Sequence, residues 1–382
     1  VLTMPTPVTL PEMLIARETR VHTQQAMLKK YDTPLVCFTM NIAGPIKNSP
    51  LIRRGFALGC RDLENALRRE GMAILNKTTT DAATGNEAFY SVDADLLHLK
   101  KLTAELEDAE PMTRLYDMDV LDANGEKVDR SALALPVRRC LLCGAPAKEC
   151  ARSRRHTVEE LQAKTHELLQ TALDDHDAEM IAQQATRALL FEVTTTPKPG
   201  LVDRRNTGSH RDMDSFTFMS SAAALYPYFK KCAMQGLRDA AERCPAAATF
   251  SALRPLGNRA ESDMLTATNG INTHKGAIFS IGIAAAALGR LDADRRRNPT
   301  AVLAECAAMT VGLVSRDYAN LTTAKTAGQR FYMEYGITGV RGQAEAGFPA
   351  VRNVGLPTLE TGLKQGFDND RAGAAALLAM LC

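Results

Sequence analysis

The first half of the chain alternates between helical and strand-like patterns of apolar residues. The predicted helices of this half span residues 10–31, 61–70 and 95–110. Two short runs rich in branched and aromatic residues predict strands, PLVCFTM at 34–40 and LYDMDVL at 115–121. The turn sequence DANG follows the second run at 122–125, so we expect a hairpin with EKVD as its return.

From His156 onward the pattern becomes helical almost throughout. The predicted helices span residues 157–173, 176–192, 213–233, 259–269, 276–291, 299–316 and 371–381. The acidic run DDHD at 174–177 is suited to cap the helix that follows it, which predicts a domain boundary here. We therefore expect a multidomain protein, with an α+β domain at 1–174 followed by an all-α domain at 175–382.

Composition and charge are those of an ordinary soluble protein, with 45% hydrophobic and 24% charged residues. A net charge of +2 and few aromatic residues argue against a nucleic-acid partner, which requires a basic stripe with stacking aromatics. No apolar run reaches 18 residues and no signal-peptide pattern is present, so no membrane partner is expected. Nine cysteines without an export signal indicate reduced thiols and a cytoplasmic location.

Asp117 and Asp119 provide the first candidate chemistry. In a strand these two residues project from one face, while Met118 and Val120 face the core. Two carboxylates on one face with no adjacent lysine repel each other unless a divalent cation lies between them. The pattern predicts a magnesium site that also binds substrate phosphates, although a solvated strand face without metal explains it too.

Cys140, Cys143, Cys150 and His156 form a second group, with the spacing of a Cys₃His zinc site. A structural zinc there would staple the end of the first domain. The apolar pair between the first two cysteines is unusual for a zinc knuckle, which normally has small or polar residues. Nearby arginines suit phosphate binding instead. These arginines are Arg138, Arg139, Arg154 and Arg155.

Three motifs of the first half carry a family resemblance: PLVCFTMNIAGPIKNS, TRLYDMDVLDANG and RRCLLCGAPAKECARSRRH. Over about residues 10–166 the chain resembles the apo-citrate lyase phosphoribosyl-dephospho-CoA transferases. The resemblance implies transfer of a phosphoribosyl-dephospho-CoA group to a serine of the citrate lyase acyl carrier protein (the gamma subunit), with release of pyrophosphate. It makes Asp117 and Asp119 the expected catalytic, magnesium-binding pair, and Lys47 and Arg114 the expected phosphate-binding cations. Thr113 departs from the family, which usually has glycine there.

The segment 192–218, EVTTTPKPGLVDRRNTGSHRDMDSFTF, is the most polar part of the second half. Because it has almost no aliphatic residues, its order must come from hydrogen bonds, turns or a bound polyanion. Asp212 and Asp214 lie at the start of a predicted helix, where capping is the simple explanation. Capping does not explain the nearby cations, whereas a magnesium-triphosphate site does. The cations are Lys198, Arg204, Arg205 and His210.

The loop NGINTHKG at 269–276 repeats this combination of polar residues and glycines before an apolar helix. Backbone N–H groups at such a helix start bind phosphate oxygens, with Lys275 as a point charge. The order of residues in a P-loop is absent. His274 beside Asn272 is a candidate site residue, although a lone histidine more often has a structural role.

These two segments, together with YGITGVRGQAEAGFPAV, resemble the triphosphoribosyl-dephospho-CoA synthase family from about residue 178 to the end. The resemblance implies that the ribose 2′-hydroxyl of 3′-dephospho-CoA displaces adenine from ATP and that the triphosphate is retained. Such a reaction requires magnesium, a base near the attacking hydroxyl and a donor for the departing adenine. We assign magnesium to Asp212 and Asp214, catalysis to Asp203, His210 and His274, and substrate or phosphate binding to Lys198, Arg204, Arg205, Asn272 and Lys275. The spacing leaves the acid and the base open.

Two departures from the synthase family affect this interpretation. Gln343 stands where the family has glutamate. The family also continues beyond its final apolar helix into an acidic and arginine-glycine motif, whereas this chain ends at Cys382. We therefore expect a synthase domain truncated at its C-terminus, with reduced activity if that motif completes the metal site.

The two halves fit one pathway, in which the second domain makes the prosthetic-group precursor and the first attaches it. One alternative is the same chemistry for the malonate decarboxylase carrier protein, which a mass-shift assay with each carrier distinguishes. The other is a zinc-stabilised protein that binds the carrier without catalysis. Bound zinc with no nucleotide turnover would identify that second alternative.

Overall fold

A computed structural model describes residues 6–319, 321–324 and 326–381 and divides into two units, Val1–Leu173 and Asp174–Cys382. The first unit combines helices with a four-stranded antiparallel sheet, and the second is helical. This confirms the predicted fold class, an α+β region followed by an all-α region. The sequence predicted a synthase domain that is truncated at Cys382, and this residue lies outside the described residues. Among those described, no helix is both long and apolar enough to cross a membrane.

The sheet of the first unit has the strand order β2-β3-β1-β4. Its strands are β1 (Leu35–Met40), β2 (Ala73–Ala82), β3 (Gly85–Asp93) and β4 (Tyr116–Leu121). The helices are α1 (Leu10–Tyr31), α2 (Pro50–Arg69), α3 (Leu96–Asp108) and the short α4 (Ala147–Arg152). In the register of β1 with β4, Thr39 pairs with Asp117 and Cys37 with Asp119. Both acids therefore share a sheet face with Thr39 and Cys37.

The two faces of this sheet differ in chemistry. One face packs Phe38, Tyr90 and Met118 against α2 and α3 in the main core of the unit. Gly59 of α2 permits that packing, because a Cβ there would lie 2.5 Å from the Phe38 ring. On the other face, Met27 and Leu28 of α1 cover only part of the surface. That face therefore keeps its polar residues accessible beside the covered part.

The second unit is built from helices whose alanine and glycine faces allow close packing. Its helices are α5 (Val158–Thr194), which begins in the first unit, α6 (Ser215–Ala241), α7 (Ala246–Ala267), α8 (Lys275–Arg290), α9 (Pro299–Thr310), α10 (Leu313–Tyr318), α11 (Ala327–Tyr335), α12 (Gly339–Glu345), α13 (Leu356–Lys364) and α14 (Asn369–Leu381), with a π-helical turn at Val351–Gly355. Helices α6 and α8 touch at the backbone level. A Cβ on Gly236 would lie 2.1 Å from the Ala286 carbonyl oxygen, and one on Gly289 would lie 2.2 Å from that of Ala233.

The predicted break between residues 173 and 176 is wrong, because α5 continues through it. The acidic run remains helical because its carboxylates have partners on neighbouring elements. Asp175 pairs with Lys230 at 2.8 Å, and Asp177 pairs with Arg296 at 2.5 Å. A helix interior tolerates such residues when their side chains find partners outside the helix backbone.

Strands β2 and β3 were not predicted, and the predicted hairpin after β4 is reduced to a bridge. The β2 sequence, AILNKTTTDA, is exposed along nearly its whole length and therefore lacks apolar alternation. After β4 the chain returns through the predicted turn, but only an isolated bridge joins Leu121 to Lys127. That bridge nevertheless places Lys127 beside β4, which matters for the site described next.

Candidate active sites

Asp117 and Asp119 lie on the polar face of β4, as the strand pattern predicted, while Met118 and Val120 are fully buried on the other side. Both acids line a cavity of about 530 Å³ in the first unit. The cations that line it are Lys100, Lys127, Arg130, Arg138, Lys148 and Arg152. Glu107, Asp129 and Glu149 also line the cavity, so its six cations nearly balance five carboxylates. Such a mixture of carboxylates and cations suits a polyphosphate ligand with its metal ion.

Each carboxylate of the pair already has a cationic partner, contrary to the expectation that no lysine lies near. Lys127 forms an ion pair with Asp119, whose charge raises the pKa of the lysine although burial acts in the opposite direction. The Nη1 of Arg138 donates to Asp117 Oδ1 at 3.0 Å. The sequence did not predict either partner, because the turn after β4 brings Lys127 back to the strand and a longer loop brings Arg138.

A buried ion cluster lies beneath the carboxylate pair and was not predicted. Glu107 of α3 is 3% exposed, accepts the N–H of Met118 at 2.7 Å, and pairs with Arg130 at 3.0 Å. Burial raises the pKa of Glu107 and lowers that of Lys100, which is also buried on α3. Their signal in the sequence is a seven-residue spacing that places both on the core face of the helix.

Of the two predicted phosphate-binding cations of this unit, Lys47 is half-buried at a cavity. It lines a smaller cavity of about 150 Å³ that also includes Asp117. Its Nζ donates to the Ile42 carbonyl at 2.5 Å, and burial, followed by the charge of Arg17, lowers its pKa. Arg114 instead donates to the carbonyl oxygens of Arg139 and Cys140, at 2.7 and 3.2 Å. It is committed to the loop that precedes the cysteines.

The structure brings Cys140, Cys143, Cys150 and His156 together as a candidate metal site, with one ligand atom of each within 4.8 Å of the others. We call this group the cysteine cluster. Its Sγ–Sγ distances are 3.5 Å between Cys140 and Cys150 and 3.9 Å between Cys143 and Cys150. The His156 ring and the N–H of Ala145 lower the pKa of Cys143 to about 6. A low thiol pKa favours the thiolate, which is the form that binds metal.

The second unit has its own cavity, of about 520 Å³, where α5, α6 and the start of α8 meet the polar segment. It gathers Glu192, His210, Asn272 and His274 from the residues singled out in the sequence. Because α8 begins at Lys275, its first turn lines this cavity with Gly276 and Ala277. A helix N-terminus that opens into a cavity is a suitable place for phosphate oxygens.

His274 is the most constrained of these groups, since it is only 4% exposed. Its ring packs edge-on to Phe218, with centroids 4.9 Å apart, and its Nδ1 lies 2.7 Å from Ser221 Oγ. Burial, and then the charge of Lys198, lowers the pKa of His274 to about 4. The ring is therefore neutral at physiological pH.

Lys198 and Asp203 organise the polar segment from inside. Lys198 is 4% exposed and donates to the carboxylate and the carbonyl oxygen of Glu192, at 2.6 and 2.7 Å. Asp203 accepts from Thr196 Oγ1 and from the N–H groups of Lys198, Arg205 and Asn206. Burial alone would raise its pKa, but these bonds outweigh burial and lower it to about 2. Such a saturated carboxylate favours a positioning role over the predicted acid–base role.

Several predicted residues of the second unit lie outside this cavity. Asp214 caps α6 by accepting from Thr217 N and Oγ1, as the simple capping explanation stated, and Asp212 is exposed. Arg204 pairs with Asp370, at 2.5 Å, and Lys275 pairs with Glu261. Arg205 is exposed.

Each unit has a cavity that combines carboxylates or imidazoles with cations or a helix N-terminus, an arrangement suited to an enzyme that acts on phosphate-bearing substrates. Comparison with known proteins shows which enzyme families the two units match. Residues 8–172 match the family model of apo-citrate lyase phosphoribosyl-dephospho-CoA transferase, and residues 178–382 match that of ATP:dephospho-CoA triphosphoribosyl transferase. The chain belongs to the family in which these two enzymes are fused.

Individual relatives agree with this assignment. The chain is 37% identical to the protein CitXG of Haemophilus influenzae and 35% identical to that of Leuconostoc mesenteroides. Each alignment covers 92% of this chain, and 76% and 77% of the respective relatives. A 2-(5''-triphosphoribosyl)-3'-dephosphocoenzyme-A synthase of Haemophilus ducreyi is 38% identical over 55% of this chain and 69% of its own. The chain is therefore a bifunctional transferase for the synthesis and attachment of the citrate lyase prosthetic group.

Proposed function

We propose that the second unit converts ATP and 3′-dephospho-CoA into 2′-(5″-triphosphoribosyl)-3′-dephospho-CoA and adenine, in the cytoplasm. The first unit then transfers the phosphoribosyl-dephospho-CoA group to a serine of the apo-acyl carrier protein of citrate lyase and releases pyrophosphate. The observation that supports this most directly is the match of each unit to one of the two enzyme families. Proximity within one chain raises the local concentration of the shared intermediate.

In the transferase site, Asp117 and Asp119 would hold Mg²⁺, since both face the larger cavity on one side of β4. Bound magnesium would neutralise charge on the triphosphate and stabilise the departing pyrophosphate. Lys127 now pairs with Asp119 but is half exposed, so it is free to turn from the carboxylate toward phosphate when substrate binds. Lys47 lines the smaller cavity together with Asp117 and would contact the same ligand from there.

In the synthase site, the first turn of α8 would bind the triphosphate, with Asn272 beside it. Lys198, which is buried against the cavity-lining Glu192, would add positive charge from behind that carboxylate. His274 would act as a neutral group, either accepting the proton of the attacking 2′-hydroxyl or donating to the departing adenine. His210 and Glu192 line the same cavity and are the candidates for the complementary role. Asp212 and Asp214 stay the proposed magnesium ligands, and both are exposed to incoming substrate.

The first experiment is to incubate the full chain with ATP, 3′-dephospho-CoA and Mg²⁺ and to measure free adenine by chromatography. Adenine release that depends on dephospho-CoA is the expected result. Addition of the apo-carrier of citrate lyase should then give the mass increase of one phosphoribosyl-dephospho-CoA group. A folded chain that releases no adenine would refute the synthase assignment for this chain, and preferential modification of the malonate decarboxylase carrier would redirect the transferase assignment.

The metal of the cysteine cluster would be zinc, in a structural role. Zinc–sulfur bonds of about 2.3 Å in a tetrahedron place sulfur atoms about 3.8 Å apart. The two Sγ–Sγ distances of 3.5 and 3.9 Å lie on either side of this value. The Nε2 of His156 is buried and has no hydrogen-bond partner within the part of the chain that the structure describes, while its Nδ1 lies 4.0 Å from Glu160 Oε2, an orientation typical of a zinc-bound histidine. Plasma mass spectrometry of the purified chain should find one zinc per chain, and its absence would refute this part of the proposal.

A further inference from the structure

Two arginines connect the cysteine cluster to the carboxylate pair, one extending from the cluster to β4 and the other from the start of β4 to the cluster. Arg138, two residues before Cys140, reaches β4, where its Nη2 donates to the carbonyl oxygens of Arg114 and Tyr116 at 2.9 and 2.6 Å. Arg114 reaches back and donates to the carbonyl oxygens of Arg139 and Cys140. Each arginine therefore fixes the backbone from which the other extends.

Arg138 is held in a way that Lys127 is not. One Nη of its planar guanidinium is occupied by two backbone carbonyls, and the other donates to Asp117 Oδ1 at 3.0 Å. It is thus unable to leave Asp117 without breaking the bonds to β4. Lys127 has a single flexible ammonium group and no such anchor. Arg138 therefore fixes the orientation of Asp117, whereas Lys127 only balances the charge of Asp119.

The segment that carries Arg138 has little apolar burial to order it. Between residues 131 and 146, Cys140 is the only buried residue, and Val137 is 67% exposed. An isolated bridge between Arg139 and Pro146 is its only strand-like pairing. Two backbone hydrogen bonds close the turn, from Ala147 N to the Arg138 carbonyl at 2.8 Å and from Cys140 N to that of Ala145 at 2.7 Å. Because apolar burial contributes little, the conformation of the segment depends on these bonds together with the cysteine cluster and the arginine clamp.

We infer that zinc in the cysteine cluster positions Arg138, and through it Asp117, so that carrier modification requires the cluster while adenine release does not. The inference rests on the proposed zinc site and on the proposed role of Asp117. Zinc would fix the turn from Cys140 to Cys143, in which Leu142 N donates to Cys140 Sγ at 3.5 Å and Gly144 adopts a φ of +70°. Arg138 is then a positioning residue, and the cluster is a structural part of the transferase site.

The experiment compares three forms of the full chain: the unaltered protein, Cys143→Ser and Cys244→Ser. Cys143→Ser removes the exposed ligand with little effect on packing, and Cys244→Ser, in the second unit, is its matched control. For each variant, zinc is measured by plasma mass spectrometry, adenine release by chromatography, and carrier modification by mass shift with precursor made beforehand by the unaltered chain. Cys143→Ser should lose zinc and slow carrier modification by about 10-fold or more, with adenine release unchanged.

Arg138 is tested apart from the metal. Arg138→Gln should keep its zinc, slow carrier modification by about 10-fold, and raise the Mg²⁺ concentration that gives half the maximal rate, because Asp117 is no longer oriented. Arg138→Lys should recover part of the rate. Arg69→Gln removes an exposed arginine at the end of α2 in the same unit and should match the unaltered chain.

The outcomes separate the inference from the proposals on which it rests. A chain without zinc, or with a Cys140–Cys150 disulfide in place of metal, would overturn both the zinc site and the inference. Zinc loss in Cys143→Ser with carrier modification unchanged would overturn the inference alone. An Arg138→Gln variant whose magnesium dependence equals that of Arg69→Gln would also overturn it.

Discussion

The Nδ1 of His274 and the Oγ of Ser221 lie 2.7 Å apart, and both side chains are buried where α6 meets the start of α8. This bond fixes the imidazole and leaves Nε2 buried, with no hydrogen-bond partner among the described residues. The ring lines the synthase cavity. A buried polar atom without a partner is costly unless a ligand satisfies it, so Nε2 marks where a substrate group would bind.

Replacing His274 should therefore impair adenine release specifically. We expect His274→Asn to lower the rate by about 100-fold, the lower limit for loss of a positioned acid or base. Carrier modification with precursor supplied should be unchanged. His98→Asn, an exposed histidine of α3, is the control. Normal adenine release in His274→Asn would exclude it from the reaction.

The lowered pKa of His274 also predicts a dependence of stability on pH. The pKa is about 4 in the folded chain and about 6.5 in the unfolded chain. Between these values the unfolded chain binds the additional proton, so stability is fully present above about pH 6.5 and falls as the pH decreases toward 4, by at most about 3 kcal/mol. Hydrogen exchange of α6 and α8 at pH 7 and pH 5 would measure this loss. It should be smaller in His274→Asn, and an equal loss in both chains would assign it to other groups.

Asp117→Asn should abolish carrier modification without stopping adenine release. The amide keeps the shape of the side chain but removes the charge that binds Mg²⁺, so we expect a loss of about 100-fold or more. Asp93→Asn, at the exposed end of β3, is the matched control. Persistence of modification in the Asp117 variant, measured by mass shift, would remove Asp117 from the metal site.

Asp203 is expected to matter for stability as well as for activity. Asp203→Ala would leave the N–H groups of Lys198, Arg205 and Asn206 without their acceptor. The loss should destabilise the second unit by about 3 kcal/mol, measured by urea unfolding. Asp212→Ala, on the exposed part of the same segment, should change stability by less than about 0.5 kcal/mol. Equal effects of the two substitutions would contradict the organising role of Asp203.

The sequence predicted elements best where local signals agree with packing. Helix α1 begins and ends at the predicted residues, because Thr9 caps its start and Asp32 adopts a left-handed conformation at its end. Strand β4 followed its alternation of buried and exposed residues. Helix α5 did not stop at its acidic run, since the partners that stabilise that run come from α6 and from the loop after α8. Ion pairs between residues far apart in the sequence cannot be predicted from the local pattern of apolar and polar residues.

The same limit applies to the sites. The polar segments and the carboxylate pair were visible as unusual local compositions, and Asp117, Asp119, His210, Asn272 and His274 of their predicted residues line cavities. The distribution of charge within them was not visible, because it depends on which loop returns to which strand. Lys127 and Arg138 reach the acids of β4 from the loops that follow it, and Lys275 turns away to Glu261. Tertiary structure decides which partner each of these cations binds.

The exposed polar surface of β2 has a consequence for self-association. This strand lies at one edge of the sheet, so one row of its N–H and C=O groups has no partner strand. Its lysine, threonines and aspartate make that edge a poor template for a strand of another molecule. The polar residues of β2, which kept the strand from being predicted, thus also disfavour aggregation through this edge. Thr78→Val and Thr80→Val together would give the strand a recognisable apolar alternation and would make the protein less soluble.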